Sequence, residues 1–282
     1  MLNYPRLLGG LLLSAIIGWA GYRKESLSRS GVLGAIIVGS LVFGLGGWTW
    51  GLLLIAFFVS SSFLSHYRQV DKEDLAEKFA KGHRRDLGQT LANGGWGAVL
   101  AVFHALTCHP LLWPAFVGAM AAVNADTWAT ELGVLNPTSP RLITNGRRVP
   151  AGTSGGVSTW GTLAALGGGL FIGMVALVLQ WISVLAQRQT LSRLEWWLVL
   201  GAIVGGLAGS FFDSWLGATV QAIYYCDACQ KETERVIHHC DTQTRQIRGW
   251  RCLNNDGVNL LSSVVGGATS ALVVWAWWAW RG

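Results

Sequence analysis

Apolar runs long enough to cross a bilayer recur from one end of this chain to the other, at residues 4–22, 31–46, 47–65, 91–108, 111–131, 157–186, 196–221 and 258–280. A helix needs about 20 predominantly apolar residues to span hydrocarbon, and no other unclosed structure satisfies its own backbone there. The expected fold is therefore all-α: a polytopic membrane helix bundle of about eight transmembrane helices. Only 13% of the 282 residues are charged, against about 25% in soluble domains. The first run lacks a small-residue cleavage site and reads as a retained helix. No internal repeat is visible. Residues 1–282 read as a single membrane domain, with a cysteine-rich loop at 222–257 inserted between the last two helices.

Eight crossings make a statement about loop charge, because basic residues collect in cytoplasmic loops. Alternate loops hold Arg23, Lys24 and Arg29; Arg68, Lys72, Lys78, Lys81, Arg84 and Arg85; Arg141, Arg147 and Arg148; and Lys231, Arg235, Arg245, Arg248 and Arg251. Together these are seventeen of the 21 basic residues. The expected orientation places these loops in the cytoplasm and both termini on the opposite side. The net charge of +6 is then a topological signal, and nucleic acid is not an expected partner.

Against this background the polar stretch "NADTWATELG" at 124–133 is conspicuous. Charge inside a bilayer is costly and marks function or pairing. On a helical wheel Asn124, Asp126, Thr127, Thr130 and Glu131 fall within an arc of about 160°, opposite Ala125, Ala129 and Leu132. Three further segments carry similar stripes: Ser210, Asp213, Ser214, Gly217 and Gln221; Asn255, Asp256, Asn259, Ser262 and Ser263; and Arg85, Asp86, Gln89 and Asn93. In the eight-helix topology all four begin or end at the cytoplasmic leaflet. One such stripe can simply glue helices together; four, each with an Asp, point to a wet cavity.

Clustered carboxylates with Asn and Ser supply the hard oxygen ligands that suit Mg²⁺, which favours a few carboxylates plus substrate phosphates. Phosphate would also call for Arg and backbone N–H donors. The segment "PRLITNGRRVPAGTSGGVSTWG" offers both: Arg141, Arg147 and Arg148 as forked cations, and Gly152, Thr153, Ser154, Gly155 and Gly156 just before a helix start, where an anion is favoured. No Gly-Lys-Ser or Gly-Lys-Thr follows, so this is not the phosphate loop of the common nucleotide-binding fold. The residues therefore favour a nucleotide–Mg²⁺ site.

The blocks "NADTWATELG", "PRLITNGRRVPAGTSGGVS", "FFDSWLGATVQ" and "NNDGVNLLSS" resemble, in order, those of the integral membrane family that contains the plant and cyanobacterial phytyl-phosphate kinase. More distantly, the Asp-x-x-Ala-Thr-Glu and Gly-Thr-x-Gly-Gly pattern is similar to the CTP-using phytol and dolichol kinases. The resemblance implies phosphoryl transfer from a nucleoside triphosphate, CTP by analogy, to a prenyl monophosphate such as phytyl phosphate, a step linked to tocopherol biosynthesis. It implies that Asp126, Glu131, Asp213 and Asp256 surround metal and phosphates, with Mg²⁺ at Asp126, Asp213 and Asp256. Asn124, Thr130, Asn255 and Asn259 join the phosphate-binding set, and Arg85, Asp86, Asn93 and Ser214 the remaining cavity. A prenyl phosphate is already anionic near neutral pH, so no strong base is needed, and His66 and His83 read as solvated. The residues also admit a CTP-dependent cytidylyltransferase acting on a lipid phosphate, or a transporter with an acidic site at the cytoplasmic leaflet.

Four of the five cysteines lie in the loop, as Cys226, Cys229, Cys240 and Cys252. Thiolates at such density suit a structural Zn²⁺, with His238 or His239 able to replace one of them. Cys108 reads as a packed or free thiol, and "WAWWAW" at 275–280 as an interfacial aromatic belt.

Overall fold

The computed structural model describes residues 4–67, 84–136, 138–187 and 195–281. The expectations drawn for Arg68, Lys72, Lys78, Lys81 and His83 fall outside the described residues. Among those described, eight long helices follow one another: α1 (Tyr4–Arg23), α2 (Arg29–Leu41), α3 (Trp48–His66), α4 (Leu87–Thr107), α5 (Leu112–Gly133), α6 (Thr159–Ala186), α7 (Glu195–Thr219) and α8 (Asn255–Arg281). They match the apolar runs to within a few residues. Between α2 and α3 a single π-turn covers Val42–Gly46, and Gly47 at φ 93° makes the break. That conformation is open to glycine and strained for other residues. Among the described residues five helical segments are long and apolar enough to cross a membrane: Arg29–Gly46, Trp48–His66, Thr159–Ala186, Trp196–Thr219 and Asn255–Trp280. The molecule is a multi-pass membrane protein.

Helix starts are written in local chemistry. Ser28 caps α2 through Gly31 N at 3.1 Å, and Ser158 caps α6 through Gly161 N at 3.0 Å. At α4, Asp86 and Gln89 exchange side chain and backbone bonds in a capping box, which satisfies two otherwise orphaned donors. Asp86 was expected to face the cavity; it is spent on starting α4.

The centre of the bundle is α5. Every residue from Pro114 to Ala125 is buried, because α4, α6, α7 and α8 pack around it. Lipid tails are as apolar as leucine, so close backbone approach and dispersion hold such helices together. A Cβ on Gly118 would sit 2.3 Å from Ser270 Cβ and 2.5 Å from Gly266 O; on Gly209 it would sit 2.3 Å from Ala122 Cβ. At one end of the bundle Trp50 stacks on Phe116, with ring centroids 4.5 Å apart, and Trp113 donates to Gln180 at 3.0 Å. Large apolar side chains such as Ile16, Phe63, Leu106, Leu185 and Leu272 cover the outer surface.

Two small sheets depart from the purely helical expectation. A ribbon pairs β1 (Arg141–Leu142) with β2 (Gly156–Val157), and the cysteine-rich segment forms an antiparallel sheet, β4-β3-β5, from β3 (Ile223–Cys226), β4 (Lys231–Thr233) and β5 (Arg245–Arg248). The packing account predicts that Gly118→Val costs about 1–3 kcal/mol by overpacking. A drop in the midpoint of thermal unfolding in detergent checks this; an unchanged midpoint would mean that the interface yields freely.

Candidate functional site

The polar faces of α5, α7 and α8, the segment before α4 and the 140–158 hairpin converge on one cavity of about 490 Å³. Asp126, Thr130 and Glu131 line it from α5, Asp213 and Ser214 from α7, and Asn255, Asp256 and Asn259 from α8. Arg85, Gln89 and Asn93 close one side, and Gly152, Thr153, Ser154, Gly155 and Gly156 the other. Asp126 and Asp213 interact electrostatically with each other and with Glu234. Ser210 donates to Asp126 at 3.5 Å and Ser262 to Asp213 at 3.2 Å. Neighbouring like charges in a low dielectric are relieved by protonation or by a cation.

Arg85 supplies one. Burial draws its guanidinium down to about 10, against the opposing pull of Glu131, so it stays cationic at neutral pH. It donates to Ser62 Oγ at 2.9 Å. The glycine-rich loop supplies the second electropositive feature. Gly152 and Gly155 lie at φ 75° and 84°, and a Cβ on Gly155 would meet Ala218 Cβ at 2.5 Å. The loop thus folds flat against the end of α7 and leads into the capped start of α6, whose first N–H groups border the cavity; Ser158, Gly161 and Thr162 are among its walls. A helix start so placed favours an anion.

Several sequence-predicted residues lie elsewhere. Asn124 is fully buried between helices, accepting from Ser60 at 2.8 Å and donating to Gly168 O at 3.0 Å; its amide joins α3, α5 and α6 and does not line the cavity. Asp86 is the cap described above. Arg141, Arg147 and Arg148 are exposed and outside the cavity walls. Arg141 donates to Gly146 O at 3.0 Å within its own turn. The hairpin that presents the glycines to the cavity turns these three arginines outward.

Glu234 was not anticipated. It enters the cavity from the residue after β4 and accepts from Ser154 Oγ at 2.9 Å and Gln221 Nε2 at 2.8 Å, tying the glycine-rich loop to the end of α7. Its segment, "KETERV", carries no local signal; only the sheet pairing Tyr224↔Thr233 brings it there. Arg248 fastens the same sheet to α7, donating to Ala218 O at 2.9 Å and Gly217 O at 3.1 Å. It thereby satisfies carbonyls that a helix end leaves open.

Beside this sheet Cys226, Cys229, His238 and Cys240 bring their ligand atoms within 4.8 Å of one another. The Cys226 and Cys240 sulfurs are 3.6 Å apart, and His238 Nδ1 lies 3.4 Å from Cys240 Sγ. A tetrahedral Zn²⁺ with bonds of about 2.3 Å would set sulfurs roughly 3.8 Å apart, so the cluster has the ligands and spacing to hold a metal ion. Hydrogen bonds with Thr242 and His238 pull the Cys240 thiol down to about 5, while the adjacent Cys240 and Cys226 push the Cys229 thiol up to about 11; a bound metal would take both as thiolates. His238 Nε2 meets His239 Nδ1 at 3.2 Å, which fixes the ring. Cys252, expected as the fourth ligand, is exposed and outside the group; His238 stands in its place.

Fold and site together define a polytopic membrane protein with an acidic cavity open to one end of its bundle and a cysteine-histidine knuckle beside it. Residues 12–267 match the model of the integral membrane protein family DUF92, and the chain belongs to that family, in agreement with the resemblance carried by the four motif blocks. It is 32% identical to Protein PGR of Arabidopsis thaliana over 274 residues, covering 91% of this chain and 92% of that protein. An uncharacterized membrane protein of Methanocaldococcus jannaschii is 27% identical over 270 residues, 95% of this chain and 94% of the relative. Protein VTE6, chloroplastic, of Arabidopsis thaliana is 31% identical over 163 residues, 56% of this chain and 49% of that protein. No solved structure matches.

Protein purified without chelator is predicted to carry one metal ion per chain by elemental analysis. His238→Ala and Cys240→Ser should lose it, whereas Cys252→Ser should keep it; loss in Cys252→Ser would restore the four-cysteine site.

Proposed function

We propose that this protein transfers the terminal phosphoryl group of a nucleoside triphosphate, CTP in the analogy drawn from its motifs, to a prenyl monophosphate such as phytyl phosphate. The observation that carries the reading is the convergence of Asp126, Asp213 and Asp256, from three different helices, on a cavity that a glycine-rich loop and helix start also line. Carboxylates and a glycine-rich loop line one space, an arrangement that suits transfer between two phosphate anions. The resemblance of the four motif blocks to the family that contains phytyl-phosphate kinase supports a lipid-phosphate substrate.

In this reading Asp126, Asp213 and Asp256 hold Mg²⁺, and Glu131 with Arg85 forms the charged edge nearest the acceptor. Mg²⁺ would neutralise the phosphate oxygens as charge shifts between them. Thr153 N and Gly156 N are bonded within the loop, to Pro150 O and Thr153 O. In this reading the N–H groups of Gly152 and Ser154 and the start of α6 therefore cradle the nucleotide phosphates, and Thr130, Ser214, Asn255 and Asn259 orient the two substrates. The acceptor oxygen is already an anion, so alignment and charge neutralisation are enough for a loose transition state. Arg141, Arg147 and Arg148 have no part at the reacting phosphates. With all eight helices taken as crossings, the cavity and knuckle share the arginine- and lysine-rich side, which is the cytoplasmic one. Zn²⁺ in the knuckle would be structural, holding the sheet that delivers Glu234.

Asp126→Asn and Asp213→Asn are each expected to lower turnover of phytyl monophosphate at least ~10²-fold, the scale of losing one transition-state electrostatic contact, with the protein still monodisperse in detergent. Arg147→Ala and Arg148→Ala should stay within about twofold of wild type, since neither touches the cavity. Full activity in both aspartate variants would remove the metal-site assignment. A large loss of turnover in the arginine variants would return them to the site.

A further inference from the structure

The acidic cavity accounts for the phosphates, and its apolar lining, with Val134, Val157, Leu207 and Phe211, is interleaved with the polar groups. A second, smaller cavity of about 70 Å³ lies among α1, α2, α3 and α4 and shares two residues with the first, Arg85 and Asn93. Apart from those two, its walls are mainly apolar, with Val38, Phe43, Leu54, Phe57 and Phe58 prominent. Ile17, Ala35, Ile55 and Phe58 are only half-buried, so the slot opens toward the outer surface of the bundle between α1, α2 and α3.

Arg85 stands at the neck between the two, and its backbone is bracketed there. Arg85 N donates to Ser26 O and Ser28 N donates to Arg85 O, each at 3.0 Å. Gly31 packs so closely that an added Cβ would lie 2.0 Å from Arg85 O. The guanidinium carbon is 5.9 Å from the Phe58 ring centroid, on the slot side, while its electrostatic partner Glu131 is on the acidic side. A planar cation with an aromatic face behind it and a polar cavity ahead suits a phosphate whose ester chain turns back into apolar surroundings.

On the lipid-phosphate reading above, we propose that this slot receives the first isoprene units of the acceptor's hydrocarbon chain, with Arg85 anchoring the acceptor phosphate at the neck. The slot is small beside the 300–1,000 Å³ of typical ligand sites. It therefore grips the start of the chain, and the remainder leaves between α2 and α3 into the surrounding lipid. Recognition is concentrated next to the phosphate, and chain length beyond the first units has little effect on affinity.

The test is photolabelling of the full-length protein in detergent by a prenyl monophosphate carrying a diazirine on its first isoprene unit, with labelled peptides mapped by mass spectrometry. Label is expected on α2 and α3, at or beside Ala35, Leu54 and Phe58. An excess of phytyl monophosphate should reduce it at least tenfold. Ala35→Phe, which fills the slot, should reduce it similarly while keeping the wild-type metal content and elution volume. Ile55→Trp, at the open side, should do the same if Ala35→Phe fails to fold. Label confined to α6–α8, or spread over lipid-facing residues without competition, would overturn the proposal. Equal competition by a phosphatidic acid would also overturn it, by assigning the slot to any acyl chain. No nucleotide is required, so a competed slot label in a protein inactive with every nucleotide would uphold the slot and remove the phosphoryl-transfer reading.

Discussion

The close packing of α5 against its neighbours is the constraint on which the rest depends. A helix carrying Asp126 and Glu131 near one end can be kept in an apolar surrounding only if those groups face inward and their neighbours supply polar partners. Gly118, Ala122 and Ala125 let α8, α7 and α6 approach until backbone meets backbone, which fixes the helices in depth and rotation. Once they are fixed, the polar faces of α7 and α8 open on the same space as that of α5. Larger side chains at these contacts would part the helices and separate the carboxylates. The apolar packing and the acidic cavity are thus two consequences of one arrangement.

The cavity's outer wall is assembled from segments with little structure of their own. The 140–158 hairpin is short, and the cysteine-rich sheet has only three strands. Their positions come from a few directed contacts: Gly155 flat on Ala218, Arg248 on the last carbonyls of α7, and Glu234 bonded to Ser154 and Gln221. A metal held by Cys226, Cys229, His238 and Cys240 would brace the sheet behind Glu234 and Arg248, so the knuckle would act on the cavity through these two side chains. This links a cluster that touches no cavity wall directly to the geometry of the glycine-rich loop.

What the sequence made legible was whatever depends on local periodicity. The apolar runs gave the helices nearly residue by residue, and the stripes on α5, α7 and α8 placed Asp126, Asp213, Asp256 and Asn259 on inward faces. Where side-chain direction depends on turns or on distant partners, the same reasoning failed. Asn124 shares the polar arc of Asp126 yet lies two residues, about 3 Å, deeper along the helix, where Ser60 and Gly168 enclose it. Asp86 continues the stripe of Gln89 and Asn93, but its position before the first turn makes it a cap. Arg141, Arg147 and Arg148 neighbour the right loop in sequence and point out of it in space, because the ribbon's two sides face opposite ways. Glu234 and the choice of His238 over Cys252 depend on strand register in an irregular sheet, which no spacing rule encodes.

The account's central claim is that the acidic cavity joins the terminal phosphate of a nucleotide to a lipid phosphate. Two parallel reactions on purified protein test it most directly, with phytyl monophosphate, Mg²⁺ and CTP labelled on either the α- or the γ-phosphate. The account predicts γ label in a lipid diphosphate and α label remaining in water-soluble CDP. Appearance of the α label in the lipid, with release of pyrophosphate, would contradict it and make the protein a cytidylyltransferase. Failure of the γ label to enter any lipid with CTP, ATP, GTP or UTP would contradict phosphoryl transfer altogether.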